Sequence, residues 1–260
     1  MTTKEHEGGP EIATEQKPRT VAIVACGPTA WDWHQAQATY ERQIPPVDVV
    51  WSLNKALRTV KCGLGFVMDD LVGECRRSPE YHHDLRQLTI PILTSTVDQP
   101  VRDLLPEVDL WEYPLSAVLH YVGVRILRAR GATRSEIERN PGRVHDVAMQ
   151  AGNYLHNSVP YMLAYALFQD MHGIQLWGAD YTFPGTDARE DDRANAEYWI
   201  GLLRAFGIEI RTSGRSTLLN SRQPQHFYGF GARQPVIGPP DQDLLLQLTD
   251  KADHCMTRRQ

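Results

Sequence analysis

Short apolar runs alternate with helix-forming segments along most of the chain. Thr20-Val21-Ala22-Ile23-Val24-Ala25 is apolar and β-branched, and it stops at Cys26-Gly27-Pro28-Thr29. A run of this length bounded by Gly-Pro predicts a buried strand. Residues 30–42 are helix-friendly and end before Pro45-Pro46. The pattern then repeats. Residues 47–53 predict a second strand ending at Asn54, followed by a short helix or turn over 55–60. Residues 64–68 predict a third strand, ending at Asp69-Asp70. Residues 88–93 give a fourth, and 108–113 a poorer fifth.

Farther on, Val118, Tyr121, Val122, Arg125 and Ile126 carry the three-four spacing of a helix over 116–130. Residues 131–153 break the pattern with Gly131, Asn140-Pro141-Gly142 and Gly152 and few large apolar groups. From Arg125 to Arg143 there are six arginines against two glutamates. The segment reads as a mobile basic insert, a lid or acceptor-facing loop. Ser158 is the expected cap of the next helix, with Pro160 in the first turn, where its missing N–H costs nothing. Tyr161 to Phe168 is apolar nearly all round, which predicts a buried helix ended by His172-Gly173. A strand over 174–178 runs into Gly178-Ala179-Asp180-Tyr181. A helix over 188–206 and a last strand over 207–212 follow.

This alternation predicts an α/β fold: a Rossmann-like open, mostly parallel sheet with helices on both faces. The expected organisation is a flexible tail over 1–18, a nucleotide-binding domain over 19–220, and a C-terminal extension over 221–260 packing on it. The extension is rich in Gly, Pro and aromatics at first and ends in a helix over 241–254.

Composition narrows the class. At 260 residues, scaling relations bury roughly 73% of the unfolded chain's surface, enough for a core without disulfide or metal staples. Apolar residues are 42% and charged residues 23%, which excludes a mainly disordered chain, a collagen and a coiled coil. No run approaches the length of a membrane span, and the N-terminus has no apolar signal region. The net charge of -5 gives no broad attraction to nucleic acid. Cys26, Cys62, Cys75 and Cys255 form no C-x-x-C pair, so free thiols in a reducing cytoplasm are expected.

In open α/β sheets, ligands bind beyond the carboxyl ends of the strands. That rule selects Cys26, Gly27, Pro28 and Thr29, then Asn54, Asp69 and Asp70, then Gly178, Ala179, Asp180 and Tyr181. The Gly27 turn opens a helix whose free N–H groups suit a phosphate, although it is neither G-x-G-x-x-G nor a Walker A loop. The bland alternative is a tight βα turn. The helix N-terminus would lower the Cys26 thiol pKa. Asp69-Asp70 could hold Mg²⁺ together with substrate phosphates, or could simply cap a helix. No other cofactor is called for. Asp180 could orient a sugar, act as a base, or cap its own turn. His82-His83, His145 and His156 show no zinc spacing and read as surface or cap histidines.

Residues 21–29, 52–57 and 157–181 occur in an order that resembles the Rossmann-like bacterial sialyltransferases. Those enzymes use CMP-activated sialic acid. The order also resembles their relatives, the flagellin-modifying motility accessory proteins and the 6-hydroxymethylpterin diphosphokinase-like domains. Their glycine-rich G-x-G-P-S loop is matched by Ala25-Cys26-Gly27-Pro28-Thr29. The Asn or Asp that meets the nucleotide is matched by Asn54, a T-S-G-like helix start by Asn157-Ser158-Val159, and the G-x-D strand end by Gly178-Ala179-Asp180-Tyr181. The resemblance implies that Cys26, Gly27, Pro28, Thr29, Asn54, Asn157, Ser158 and Gly178 bind the nucleotide, with Asp180 and Tyr181 catalytic. The chain departs from that group at Ala25, where the first loop glycine stands, and at Cys26, where an Asn is often found; residues 182–206 also hold no His, where the sialyltransferases carry a catalytic one. Asp69-Asp70 matches the diphosphokinase-like acidic motif only in part.

Three readings follow. The first is a glycosyltransferase-like transferase using a nucleotide or nucleotide-sugar donor. The second is a Mg²⁺-dependent diphosphokinase-like transferase. The third is a non-catalytic nucleotide-binding or interaction protein on the same fold. The arginines of 131–153 would suit an anionic acceptor, nucleic acid included, and a homo-oligomer is left open.

Overall fold

The computed structural model describes residues 19–39, 46–181 and 190–219. The chain divides into two units, Met1–Asn220 and Ser221–Gln260. The tail over 1–18, the turn over 183–186 and the C-terminal extension with its helix over 241–254 lie outside the described residues.

Among the described residues, seven strands form one parallel sheet: β1 (Thr20–Val24), β2 (Val49–Leu53), β3 (Leu64–Val67), β4 (Ile92–Thr94), β5 (Leu110–Glu112), β6 (Gly173–Trp177) and β7 (Glu209–Thr212). Their order is β5-β4-β3-β2-β1-β6-β7, and every pairing is parallel. The fourth and fifth strands are shorter than their sequence runs predict. Successive side chains of a strand face opposite sides. In β1, Val21 and Ile23 join the large core with Trp51, Phe66 and Trp199, while Ala22 and Val24 pack with Trp33, Ala56 and Val60 on the other face. Both faces are covered, which is why this strand reads as a continuous apolar run.

The helices are α1 (Ala30–Thr39), α2 (Leu71–Arg77), α3 (Pro79–Arg86), α4 (Gln99–Leu104), α5 (Leu115–Ala129), α6 (Arg134–Arg139), α7 (Pro141–Gly152), α8 (Ser158–Phe168) and α9 (Glu190–Ala205). A 3-10 turn covers Asn54–Arg58. Local chemistry starts and stops several of them. Asp70 accepts from Gly73 N–H at 3.0 Å, and Asp98 accepts from Val101 N–H at 3.1 Å, satisfying donors that the helix itself leaves unpaired. Thr133 and Glu136 form a reciprocal capping box at α6. Gly131 and Gly207 leave α5 and α9 in the left-handed region, at φ 84° and 82°. Asp170 takes that place after α8 at φ 54°, so α8 ends before the expected His172-Gly173.

Two expectations are corrected. The cap of α8 is Asn157, whose side chain accepts from Val159 N–H at 3.3 Å, and Ser158 is the first helical residue. Residues 131–153 are not a loop. They carry α6 and α7, and α7 buries Val144, Val147, Ala148 and Ala151 against α5. Those residues recur at helical spacing but are small, so their stripe is faint in sequence. The two helices approach closely because Gly123 has no side chain. A Cβ there would lie 2.6 Å from the Val144 carbonyl oxygen and 3.1 Å from Ala148 Cβ.

This contact makes a paired prediction. Gly123→Val pushes against a backbone carbonyl that cannot give, and overpacking of this kind costs about 1–3 kcal/mol. For a domain of this size, each kcal/mol lowers Tm by about 2–4 °C. Gly201 lies in α9 with no described heavy atom within 4 Å of an added Cβ. Gly201→Ala should instead raise stability by up to about 1 kcal/mol through helix propensity. Thermal unfolding of the two variants checks both signs.

Candidate functional site

A cleft of about 660 Å³ opens beyond the carboxyl ends of the central strands. Successive connections run from β1 outward to β5, and the chain then returns to place β6 on the other side of β1. The β1/β6 boundary is therefore the point where the strand order reverses, which is where ligands of open α/β sheets bind. Cys26 and Gly27 come from the end of β1, Asn54 and Lys55 from the end of β2, and Asp69 from the end of β3. Gly178, Asp180 and Tyr181 come from the end of β6. Asn157, Ser158 and Val159 present the N-terminus of α8 to the same space.

At the reversal point the two chain segments are in direct contact. Gly27 N–H donates to the Gly178 carbonyl at 2.7 Å. A Cβ on Gly27 would lie 2.5 Å from that carbonyl oxygen and 2.8 Å from Asp180 Oδ2. Gly178 itself has φ 70°. Both glycines are thus required by the protein's own packing.

Asp180 is buried, at 3% exposure, and its carboxylate is spent on α1. Thr29 N–H donates to Oδ2 at 2.7 Å and the Thr29 hydroxyl donates to Oδ1 at 2.8 Å. That hydroxyl accepts in turn from Gly178 N–H at 2.9 Å. The next donors of the turn are also used, Ala30 N–H by the Gly27 carbonyl at 2.9 Å and Trp31 N–H by that of Pro28 at 3.3 Å. The protein's own carboxylate therefore occupies the helix N-terminus where a phosphate was expected. Asp180 acts there as a positioning residue, and Pro28 and Thr29 do not line the cleft.

The other expected residues divide. Asn54 is in the left-handed region at φ 47°, and its Nδ2 donates to Asp69 Oδ2 at 2.7 Å. The opposite amide orientation would face two oxygens at one another, so Asn54 Oδ1 is the atom left over. It is buried with no partner. Asp70 is turned away to cap α2. The Asp69-Asp70 pair therefore does not fit a chelated metal ion. Among the described residues no three His, Cys, Asp or Glu side chains converge as ligands. Asn157 is fully engaged: Oδ1 accepts from Val159 N–H and from the Tyr181 hydroxyl at 2.9 Å, and Nδ2 donates to the Asp192 carbonyl at 3.0 Å. It ties α8, the β6 exit and α9 together. Tyr181 is held at φ 53°, a sparsely populated conformation for a residue with a side chain.

Cys26 also departs from expectation. Its thiol pKa is raised, because loss of solvent around the sulfur outweighs the lowering by the Ala56 and Lys55 backbone and the Lys55 charge. Although the residue as a whole is exposed, the sulfur leans on the end of β2, 3.5 Å from the Leu53 carbonyl oxygen.

Sequence reasoning missed five lining residues: Lys55, Glu74, Tyr81, His156 and Asp192. His156 directly precedes the α8 cap, a position that could have flagged it. Tyr81 sits in α3 with no local signal. The described lining carries four carboxylates, on Asp69, Glu74, Asp180 and Asp192, against the single ammonium of Lys55.

No protein-family model matches the chain, and no curated protein matches its sequence. Among solved structures, the sialyltransferase CstII from Campylobacter jejuni in complex with cytidine-5'-monophosphate is similar at TM-score 0.41 and 15% identity, covering 77% of this chain and 82% of that one. CstII in complex with CMP-3FNeuAc gives TM-score 0.42 and 14% identity, covering 77% and 83%.

The cap and the Cys26 thiol each carry a prediction. Asp180→Ala leaves the Thr29 N–H and hydroxyl buried without their acceptors. Hydrogen bonds to a charged group are worth about 1.5–3 kcal/mol each, so ligand-free Tm should fall by several degrees. Asp180→Asn keeps one acceptor and should fall less. Urea unfolding at the wild-type midpoint for Asp180→Ala would show that the cap does not hold α1. For Cys26, a raised pKa means less thiolate than usual at neutral pH. Alkylation of the Cys26 peptide by iodoacetamide, followed by mass spectrometry, should be slower at pH 7.5 than for an unstructured cysteine peptide. It should still be climbing above pH 9, where the peptide control has begun to level off.

Proposed function

We propose that the chain is a transferase of the glycosyltransferase-like kind that takes a nucleotide-activated donor in the switch-point cleft. The carrying observation is the cleft itself. It is large enough for a nucleotide and lies where the strand order reverses, with the N-terminus of a buried helix on its wall. The α1 turn already holds the Asp180 carboxylate. The donor's phosphate is therefore assigned to α8, whose first turn offers the positive end of the helix dipole and the Ser158 hydroxyl. Lys55 adds the one described cation of the lining. His156, an imidazole on the same wall, is the proposed general acid–base group, taking the part first assigned to Asp180.

A second reading has a specific observation in its favour. The spent Asp180 carboxylate suits a protein that binds a nucleotide without turning it over.

Thermal shift with CMP, UDP, GDP and ATP separates these readings. A bound nucleotide at about 100 times its Kd stabilises by about 2.7 kcal/mol, which raises Tm by about 5–10 °C. The shift should persist in EDTA, because the acidic pair does not chelate. Ser158→Ala should weaken binding about 10-fold or more if its hydroxyl meets the phosphate. His156→Ala should bind as wild type but lose about 10²–10⁴-fold in turnover of a nucleotide sugar such as CMP-sialic acid. Binding by wild type with no turnover of any nucleotide sugar would leave the second reading. No shift with any nucleotide would sink both.

A further inference from the structure

Tyr81 is 2% exposed, lines the cleft, and its hydroxyl has no hydrogen-bond partner. A buried hydroxyl without a partner costs about 1–3 kcal/mol, so its presence in a wall otherwise built by packing calls for a reason. Nothing in the fold needs it. The ring packs with Leu71, Cys75, Leu85 and Val67, all of which a phenylalanine would satisfy. The hydroxyl also stays a donor. Burial first, then the neighbouring Cys75, Cys26, Asp69 and Glu74, push the phenol's pKa up. The same Asp69 accepts from Asn54, whose Oδ1 is the second buried atom of the cleft without a partner. One wall thus offers an unpaired donor and an unpaired acceptor around the shared neighbour Asp69.

We infer that Tyr81 and Asn54 form a polar subsite for the ribose of the bound nucleotide, with the Tyr81 hydroxyl donating to the 2′ oxygen and Asn54 Oδ1 accepting from the 3′-hydroxyl. The chemistry selects this group. A vicinal diol supplies one acceptor and one donor, the chemical complement of the unpaired donor and acceptor. A phosphate has no proton to give Asn54 and would be repelled by Asp69 and Glu74. The position fits as well: Asn54, at the end of β2, and Ser158, in the first turn of α8 to which the phosphate is assigned, line the same cleft. The inference rests on the nucleotide reading proposed above and adds to it the part of the ligand that this wall recognises.

The test uses the full chain and calorimetric titration with CMP and 2′-deoxy-CMP, on wild type and on Tyr81→Phe. Removing an unpaired buried hydroxyl should leave ligand-free Tm unchanged or raise it. A clear fall in Tm would mean that the hydroxyl has a structural role, and would overturn the assignment. Wild type should prefer CMP over 2′-deoxy-CMP by about 5- to 50-fold, and Tyr81→Phe should lose that preference while binding 2′-deoxy-CMP as wild type does. Equal preference in both proteins, or no preference in wild type, overturns the ribose subsite and leaves the nucleotide reading standing. Failure of wild type to bind CMP at all overturns the inference. The wider nucleotide panel then decides the fate of the parent reading.

Discussion

The Asp180 carboxylate at the start of α1 is the contact on which the site depends. It joins the exits of β1 and β6, the two strands on either side of the reversal in strand order. Its geometry leaves room for no side chain at Gly27, and it draws the Thr29 hydroxyl into a chain that continues to Gly178. Among the described residues no lysine or arginine pairs with the carboxylate, whose donors are the Thr29 N–H and hydroxyl. Two donors from one residue and the positive end of a helix make its burial tolerable, because charge-assisted hydrogen bonds are about twice as strong as neutral ones. The Asp180 carbonyl is used too, accepting from Thr217. The segment after β7 reaches back further to α1, where Ser213 donates to Asp32 Oδ2 at 2.6 Å and Arg215 donates to the same oxygen at 3.1 Å. The first helix is therefore held by two later parts of the chain.

The order of elements was legible because each central strand is a short apolar run with a glycine or a polar stop behind it. Runs 20–25, 64–68 and 174–178 match β1, β3 and β6 to within a residue or two. The parallel arrangement followed from the lack of polar alternation along those runs. The segment 131–153 was not legible as helix. Its buried positions are Val and Ala, and the glycine that lets them pack lies in α5, more than twenty residues away. Periodicity measures size as well as spacing, and a close helix pair needs small residues.

In the site, position was legible and role was not. Residues at the ends of β1, β2, β3 and β6 do meet in one cleft. Yet Asp180 is a cap for a helix 151 positions earlier in the chain, and no local pattern carries that information. Asp70 turned out to be a cap by its own local geometry, which was the simpler expectation. Tyr81 entered from α3, where nothing in the neighbouring residues marks it, and His156 from the residue before the α8 cap, a place that only the position of that cap marks. A residue's distance from its partner along the chain decides how much of its role can be read from sequence.

That long separation also bears on how the molecule is made. β6, the inner neighbour of β1, is synthesised about 150 residues after it. Closing a loop of that length costs about 4 kcal/mol of chain entropy before any contact rewards it. On a ribosome, β1 to β5 can pair with one another while one edge of β1 stays bare and α1 stands without its carboxylate. The nascent chain thus carries an exposed strand edge and an incomplete cleft until residue 180 has emerged. Truncated products ending before that point would keep most of a sheet, an open edge prone to pairing with other chains, and no ligand site at all.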